Sequence, residues 1–155
     1  MADVILIQEH WLMLDYLNQL HVVSDKFVCF TTSAMSKRIE LEILRGRPSG
    51  GVAILVNKSF AQQASFVFGN DRVIVVKIGQ TYFVNVYFPD SSVDNRDIIL
   101  SEMCSFMEQF DCVADSVIIG DDFNSQFVNG LCASPDINDF IAANSLTVYD
   151  SKFTG

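Results

Sequence analysis

The stretch from residue 52 to residue 88 constrains the fold more than any other part of this sequence. Its β-branched and aromatic residues fall in four short runs, at 52–56, 63–68, 72–78 and 82–88. Asn70-Asp71 marks the turn before the third run, and Gly79-Gln80 suits a two-residue hairpin turn before the fourth. Parallel strands need a crossover of roughly a dozen residues or more, and these links are shorter. The sequence therefore predicts an antiparallel meander of four strands.

Further strands and helices are predicted on both sides of this meander. Short apolar runs predict strands at 4–8, 27–32, 117–119 and 146–149. Helical spacing of apolar residues predicts helices at 10–20, 96–113 and 134–144. Caps for the second helix are offered by Ser91, Ser92 and Asp94. Ser134 and Pro135 form a typical start for the third helix, and residues 33–47 are predicted to be a polar loop.

Composition favours a single intracellular domain. The chain has 155 residues, half of them apolar, which fits one domain spanning residues 1–155. No basic leader opens the sequence, and no apolar run approaches the roughly eighteen residues of a membrane span. The cysteines have no metal-ligand spacing and are predicted to be reduced core residues; they are Cys29, Cys104, Cys112 and Cys132. We therefore expect a protein of the nucleus or cytoplasm with no membrane partner.

The acidic charge counts against a general nucleic-acid surface. The net charge is −9 and the pI is about 4.4, whereas duplex binding normally draws on clustered Lys and Arg. Positive charge is gathered only around Lys37, Arg38, Arg45 and Arg47. That cluster is either a local binding patch or a solvated loop.

Polar residues stand where two predicted strands end. Asp122 and Asn124 follow the apolar run at 117–119, and in an extended turn both side chains would project the same way, as ligands for a hard cation such as Mg²⁺. The alternative is that both residues only form a turn. Glu9 continues the face of Ile5 and Ile7, where a carboxylate is costly unless it is paired. It needs a partner, or else it caps the following helix.

Four motifs together resemble the endonuclease/exonuclease/phosphatase superfamily, and most of all the endonuclease domain of non-LTR (LINE-type) retrotransposons. They are DVILIQEHW at 3–11, GRPSGGVAIL at 46–55, VYFP at 86–89 and IGDDFN at 119–124. The resemblance implies an α+β fold of the four-layer sandwich type, with two mostly antiparallel sheets packed face to face and flanking helices. It also implies a Mg²⁺-dependent enzyme, in which Mn²⁺ can substitute, acting on DNA.

The resemblance also implies roles for individual residues. Glu9 would coordinate Mg²⁺, and Asp122 would activate or orient the attacking water. Asn124 would help to hold both the ion and the phosphate, and Tyr87 would lie against the scissile phosphate. The alternative for Tyr87 is a half-buried sheet aromatic, and His10 is expected to be a simple cap or surface residue with no catalytic role.

The sequence departs from the family pattern at three places. An earlier strand that carries an Asn and a later Ser-Asp-His strand end are not found, so the domain is expected to lack its first strand and its last third. The usual Gly-Asp-Phe-Asn contains an extra carboxylate, so Asp122 keeps the Asp-x-Asn spacing and Asp121 has no assigned role. Three hypotheses follow: a DNA-nicking endonuclease, a phosphatase of the same fold, or an inactive remnant that associates through exposed sheet edges.

Overall fold

A computed structural model describes residues 2–22, 25–35, 49–89, 96–111, 113–122, 124, 127–128 and 131–149. The chain divides into two compact units. Unit 1 comprises Met1–Tyr87 and Asp111–Asp122, and unit 2 comprises Phe88–Phe110 and Phe123–Gly155. Of the residues predicted above, the basic cluster from Lys37 to Arg47 and the caps Ser91, Ser92 and Asp94 lie outside the described residues.

The first sheet of unit 1 has three strands among the described residues. They are β1 (Val4–Ile7), β2 (Phe27–Thr31) and β3 (Ala53–Asn57), in the order β1-β3-β2. Both pairings are antiparallel. The prediction that residues 52–56 join the meander is therefore wrong, because β3 pairs with two strands that precede it in the chain.

The second sheet of unit 1 contains β4 (Ala64–Gly69), β5 (Val73–Ile78), β6 (Thr81–Tyr87) and β7 (Ser116–Asp122), in that spatial order. The first three strands form the predicted antiparallel meander. Gly79 stands at φ +60° in the turn between β5 and β6, which is the conformation that glycine adopts at no steric cost. β7 pairs with β6 in parallel, so its polar end lies beside the end of β6.

The two sheets of unit 1 pack face to face. The buried residues between them are Val52, Ile54, Val56, Ile74, Val76 and Tyr87. Asn85 is also fully buried, and its Nδ2 donates to the carbonyl oxygens of Ile7 and Ala53, both at 2.9 Å. Its Oδ1 accepts a hydrogen bond from Gln8 Nε2 at 2.5 Å. Asn85 therefore ties β6 to two strands of the opposite sheet.

The predicted helix at 10–20 is largely absent. A 3₁₀ turn spans Leu14–Tyr16, and the short helix α1 spans Asn18–His21. Before that turn, the backbone N–H groups of His10 and Trp11 donate to Gly51 O at 3.2 Å and Gly50 O at 3.1 Å. These long-range bonds replace the helical pattern that the apolar spacing indicated.

Unit 2 contains two longer helices and a small hairpin. α2 spans Arg96–Met107 and buries Ile99 and Met103, so it ends before the predicted residue 113. A hairpin of β8 (Phe127–Val128) and β9 (Leu131–Cys132) precedes α3, which spans Pro135–Ala143. Pro135 opens α3 as predicted, but the side chain of Ser134 makes no capping hydrogen bond. No strand forms at 146–149, since the Leu146 N–H still donates to the α3 carbonyl of Ile141 at 3.0 Å.

Three of the four cysteines can be placed. Cys132 is buried and Cys29 is half-buried, as expected for core thiols, whereas Cys104 is exposed on α2 and is not a core residue. Cys112 lies outside the described residues. Within the described part of the chain, no helix is both long and apolar enough to cross a membrane.

Candidate functional site

The pairing of β6 with β7 places Tyr87 beside Asp122. The parallel register matches Tyr87 with Asp122 and Val86 with Asp121. Paired residues project from the same face of a sheet, and successive residues alternate between faces. Asp122 therefore shares the inner face of the sheet with Tyr87, and Asp121 lies on the opposite face with Val86. This arrangement separates two adjacent carboxylates that the sequence alone left ambiguous.

Glu9 lies in the turn after β1 and reaches Tyr87. The Tyr87 hydroxyl is hydrogen-bonded to the Glu9 carboxylate, and Trp11 Nε1 donates to Glu9 Oε1 at 3.4 Å. The partner that a carboxylate at this position requires is therefore present. Helix capping is excluded as the role of Glu9, because the next helical turn begins at Leu14 with Met13 as its cap residue.

Tyr87 is both a core residue and a polar one. Its side chain is only 7% exposed and packs within the buried cluster between the sheets. Burial raises the pKa of Tyr87 to about 12, and the hydrogen bond and negative charge of Glu9 act in the same direction, while Arg72 opposes them. The hydroxyl is therefore protonated at neutral pH and available as a hydrogen-bond donor.

Arg72 completes this cluster, and sequence reasoning did not identify it. Its guanidinium carbon lies 4.8 Å from the centroid of the Tyr87 ring, and the two side chains are hydrogen-bonded. The Tyr87 N–H also donates to Arg72 O at 2.8 Å. The signal for this pair was present in the sequence, because counting outward from the Gly79-Gln80 turn sets Arg72 opposite Tyr87.

The Gly50-Gly51 pair connects the Glu9 turn to the start of β5. Both glycines have a left-handed backbone, with φ of +79° and +84°. Gly51 N donates to Asp71 O at 2.8 Å, and a Cβ at Gly50 would lie 2.8 Å from the same oxygen. A larger residue would therefore be strained at either position. These contacts bring Gly50 and Gly51, the last two residues of the GRPSGG motif, against the turn that carries Glu9.

The sequence suggested that His10 is a simple cap or surface residue. In the structure its side chain is half-buried. Its Nδ1 accepts a hydrogen bond from Leu12 N at 3.0 Å, and its Nε2 lies 3.0 Å from Thr32 O and 3.2 Å from Thr31 Oγ1. Because Nδ1 accepts, the neutral ring carries its proton on Nε2. Burial lowers the pKa of His10, which favours this neutral form.

Asn124 belongs to unit 2, unlike the residues above. Its φ is +45°, so the turn is not extended at this residue and the predicted geometry is wrong there. Its Nδ2 donates to Phe88 O at 2.7 Å. The role of Asn124 in holding an ion or a phosphate stays a prediction.

The described side chains of unit 1 offer only a few oxygen ligands to a hard cation. Among the described residues, no group of three or more His, Cys, Asp or Glu side chains is arranged to hold a metal ion. Mg²⁺ does not require such a group, since it usually keeps several waters and binds one or two carboxylates together with substrate phosphate. Glu9 reaches Tyr87 by a hydrogen bond and Asp122 adjoins it in the sheet, so both carboxylates border one side chain.

No family model and no curated protein matches this sequence. Solved structures do match it. An AP endonuclease from Archaeoglobus fulgidus has 17% identity over 88% of this chain and 52% of that chain, with a TM-score of 0.56. The 3′ phosphatase NExo from Neisseria, bound to product DNA hairpin, has 18% identity over 88% of this chain and 52% of that chain, with a TM-score of 0.53.

A third similar structure, humanized D. rerio TDP2, has 15% identity over 95% of this chain and 55% of that chain, with a TM-score of 0.48. The chain thus spans about half the length of the solved structures that it matches. At these identities the likeness concerns the fold, and the two structures with TM-scores above 0.5 carry it. The chain therefore shares the α+β fold of the AP endonuclease and the 3′ phosphatase NExo.

Proposed function

We propose that this chain is part of a Mg²⁺-dependent phosphodiesterase that hydrolyses a DNA phosphodiester and nicks its target, as in the non-LTR retrotransposon endonucleases that it resembles. One observation supports this most directly. Tyr87 is hydrogen-bonded to Glu9 and adjoins Asp122 in the sheet, so residues from three separate motifs meet at one place. A purely structural sheet end has no need for this set of groups.

The residues divide the chemistry between them. The Asp122 carboxylate orients a water molecule for in-line attack and accepts its proton, so that hydroxide adds to phosphorus as the P–O bond to the leaving strand breaks. The Tyr87 hydroxyl donates a hydrogen bond to a nonbridging oxygen, where negative charge increases in the transition state. Glu9 holds Mg²⁺, which when bound neutralises part of the charge on the phosphate. We also propose, from the resemblance, that Asn124 helps to hold the Mg²⁺ ion and the phosphate.

DNA is the favoured substrate for two reasons. The motifs at 46–55 and 86–89 resemble those of retrotransposon endonucleases, and the two similar folds above belong to proteins named as an AP endonuclease and a DNA-bound 3′ phosphatase. The net charge of −9 means that affinity cannot come from the surface as a whole. We therefore propose that local cations such as Arg72 contribute to phosphate binding.

The test is nicking of supercoiled plasmid by the purified chain, with Mg²⁺ and with excess chelator, beside Glu9→Gln. The proposal predicts nicking that requires Mg²⁺ and that Glu9→Gln abolishes. Nicking that persists with chelator or in Glu9→Gln would refute it. Release of inorganic phosphate from phosphoesters without nicking would favour the phosphatase, and a cooperatively folded but inert chain would favour the remnant.

A further inference from the structure

The turn that carries Glu9 has an unusual backbone. Glu9 and Trp11 have φ values of +50° and +58°, on either side of His10. Residues other than glycine seldom adopt this conformation, and they keep it only where surrounding contacts hold the backbone. The carboxylate proposed to bind the metal thus stands on a strained turn that something else must stabilise.

The His10 side chain supplies the contacts that this turn needs. One ring nitrogen accepts from the Leu12 N–H, and the other contacts Thr31 Oγ1 and Thr32 O at the end of β2. The ring therefore fastens the turn to a different strand of the sheet. Glu9, the neighbour of His10 in the chain, is engaged by Tyr87 and Trp11.

Gly51 provides the space for this ring. A Cβ at Gly51 would collide with the His10 imidazole, and the Gly51 carbonyl accepts the His10 N–H at 3.2 Å. The backbone and the ring of His10 are therefore held by the same glycine.

We infer that His10 is a positioning residue that fixes the turn so that Glu9 points at Tyr87. It does not touch the reacting groups and acts only through Glu9. The consequence for metal binding rests on the proposed function, whereas the consequence for the turn itself does not. Loss of the ring frees Glu9 and Trp11 to leave their left-handed conformations.

Trp11 is the only tryptophan in the chain, so its fluorescence reports on this turn directly. The experiment compares the wild type with His10→Ala, with His10→Asn, which keeps an acceptor for the Leu12 N–H, and with the matched control His21→Ala on the exposed end of α1. The readouts are acrylamide quenching of Trp11 and Mn²⁺ affinity measured by EPR. Urea unfolding of each variant verifies that it folds cooperatively.

His10→Ala is expected to raise the quenching of Trp11 and to weaken Mn²⁺ binding by about tenfold. His10→Asn should recover part of both, and His21→Ala should match the wild type. Unchanged quenching in His10→Ala would overturn the inference. If His10→Ala does not fold, His10→Asn becomes the test. In that case, Trp11 quenching and Mn²⁺ affinity both equal to the wild type would refute the positioning role of His10. A wild type that binds no Mn²⁺ contradicts the proposed function, while quenching still decides the role of His10.

Discussion

The Tyr87 hydroxyl is hydrogen-bonded to the Glu9 carboxylate, which joins the end of β6 to the turn after β1. These residues come from opposite sheets, so the contact depends on correct packing of unit 1. The same tyrosine adjoins Asp122 in the sheet and lies under the Arg72 guanidinium. Tyr87 is therefore the centre of the proposed site.

Replacing Tyr87 by Phe removes the hydroxyl and keeps the buried ring. We expect the rate of plasmid nicking to fall by about 10²–10³, the usual effect of losing one donor to the transition-state oxygen. The free energy of unfolding should fall by only about 1 kcal/mol, the net value of one hydrogen bond. Tyr82→Phe is the matched control, since its hydroxyl bonds Lys77 at 3.1 Å on the other face of the sheet. Equal rates in both variants would exclude the role proposed for Tyr87.

Tyr87 should also ionise at a higher pH than an ordinary tyrosine. Its folded pKa is about 12, against an ordinary tyrosine value of 10.0. Because the folded value is the higher one, its contribution to stability is complete below pH 10 and is lost as the pH rises towards 12. When tyrosinate absorbance is titrated, one of the four tyrosines should ionise at a higher pH than the others, and this transition should be absent in Tyr87→Phe. Glu9→Gln should lower its pKa and Arg72→Gln should raise it. If no tyrosine ionises at a raised pH, the result would argue against the contact between Tyr87 and Glu9.

Asn85 is expected to be the most important polar residue for stability in unit 1. Asn85→Ala leaves the carbonyl oxygens of Ile7 and Ala53 without this donor, and each buried orphan costs about 1–3 kcal/mol. We predict a loss of about 3 kcal/mol in urea unfolding. The exposed Asn18→Ala should change stability by less than about 0.5 kcal/mol. A similar small effect for Asn85→Ala would mean that the two sheets are not tied in this way.

Gly120 allows β7 to approach β1 closely. A Cβ at this position would collide with Leu6, so Gly120→Ala should destabilise the chain by about 1–3 kcal/mol. The cost should be smaller in a Leu6→Ala background, because the colliding side chain is then gone. Urea unfolding of the two single variants and the double variant measures this coupling. Strictly additive losses would show that Gly120 and Leu6 do not meet.

Local signals predicted much of the fold. Turn chemistry at Gly79-Gln80 and Asn70-Asp71 was enough to place β5 and β6, because the links are short. β3 was assigned to the wrong sheet, since its partners β1 and β2 are distant in sequence and leave no mark on the local pattern. The helix predicted after Glu9 failed for a similar reason, as bonds to Gly50 and Gly51 override the apolar spacing.

The candidate site shows the same division. Resemblance identified Glu9, Tyr87 and Asp122, and the structure brings Tyr87 together with each of the other two. Arg72 and His10 were missed, because their importance depends on residues distant in sequence. Arg72 lies over the Tyr87 ring, and the His10 ring occupies the space that a side chain at Gly51 would take. Asp121 could be told from Asp122 only when the register of β7 was known.

The role proposed for Asp122 is tested most directly by comparing plasmid nicking by Asp122→Asn and Asp121→Asn in Mg²⁺. These adjacent residues differ in the face of the sheet that they occupy. We predict that Asp122→Asn lowers the rate by at least about 10²-fold, as for other groups that act as one catalytic unit, while Asp121→Asn stays near the wild type. Normal nicking by Asp122→Asn, or loss of activity in Asp121→Asn alone while both variants unfold cooperatively, would contradict this role for Asp122.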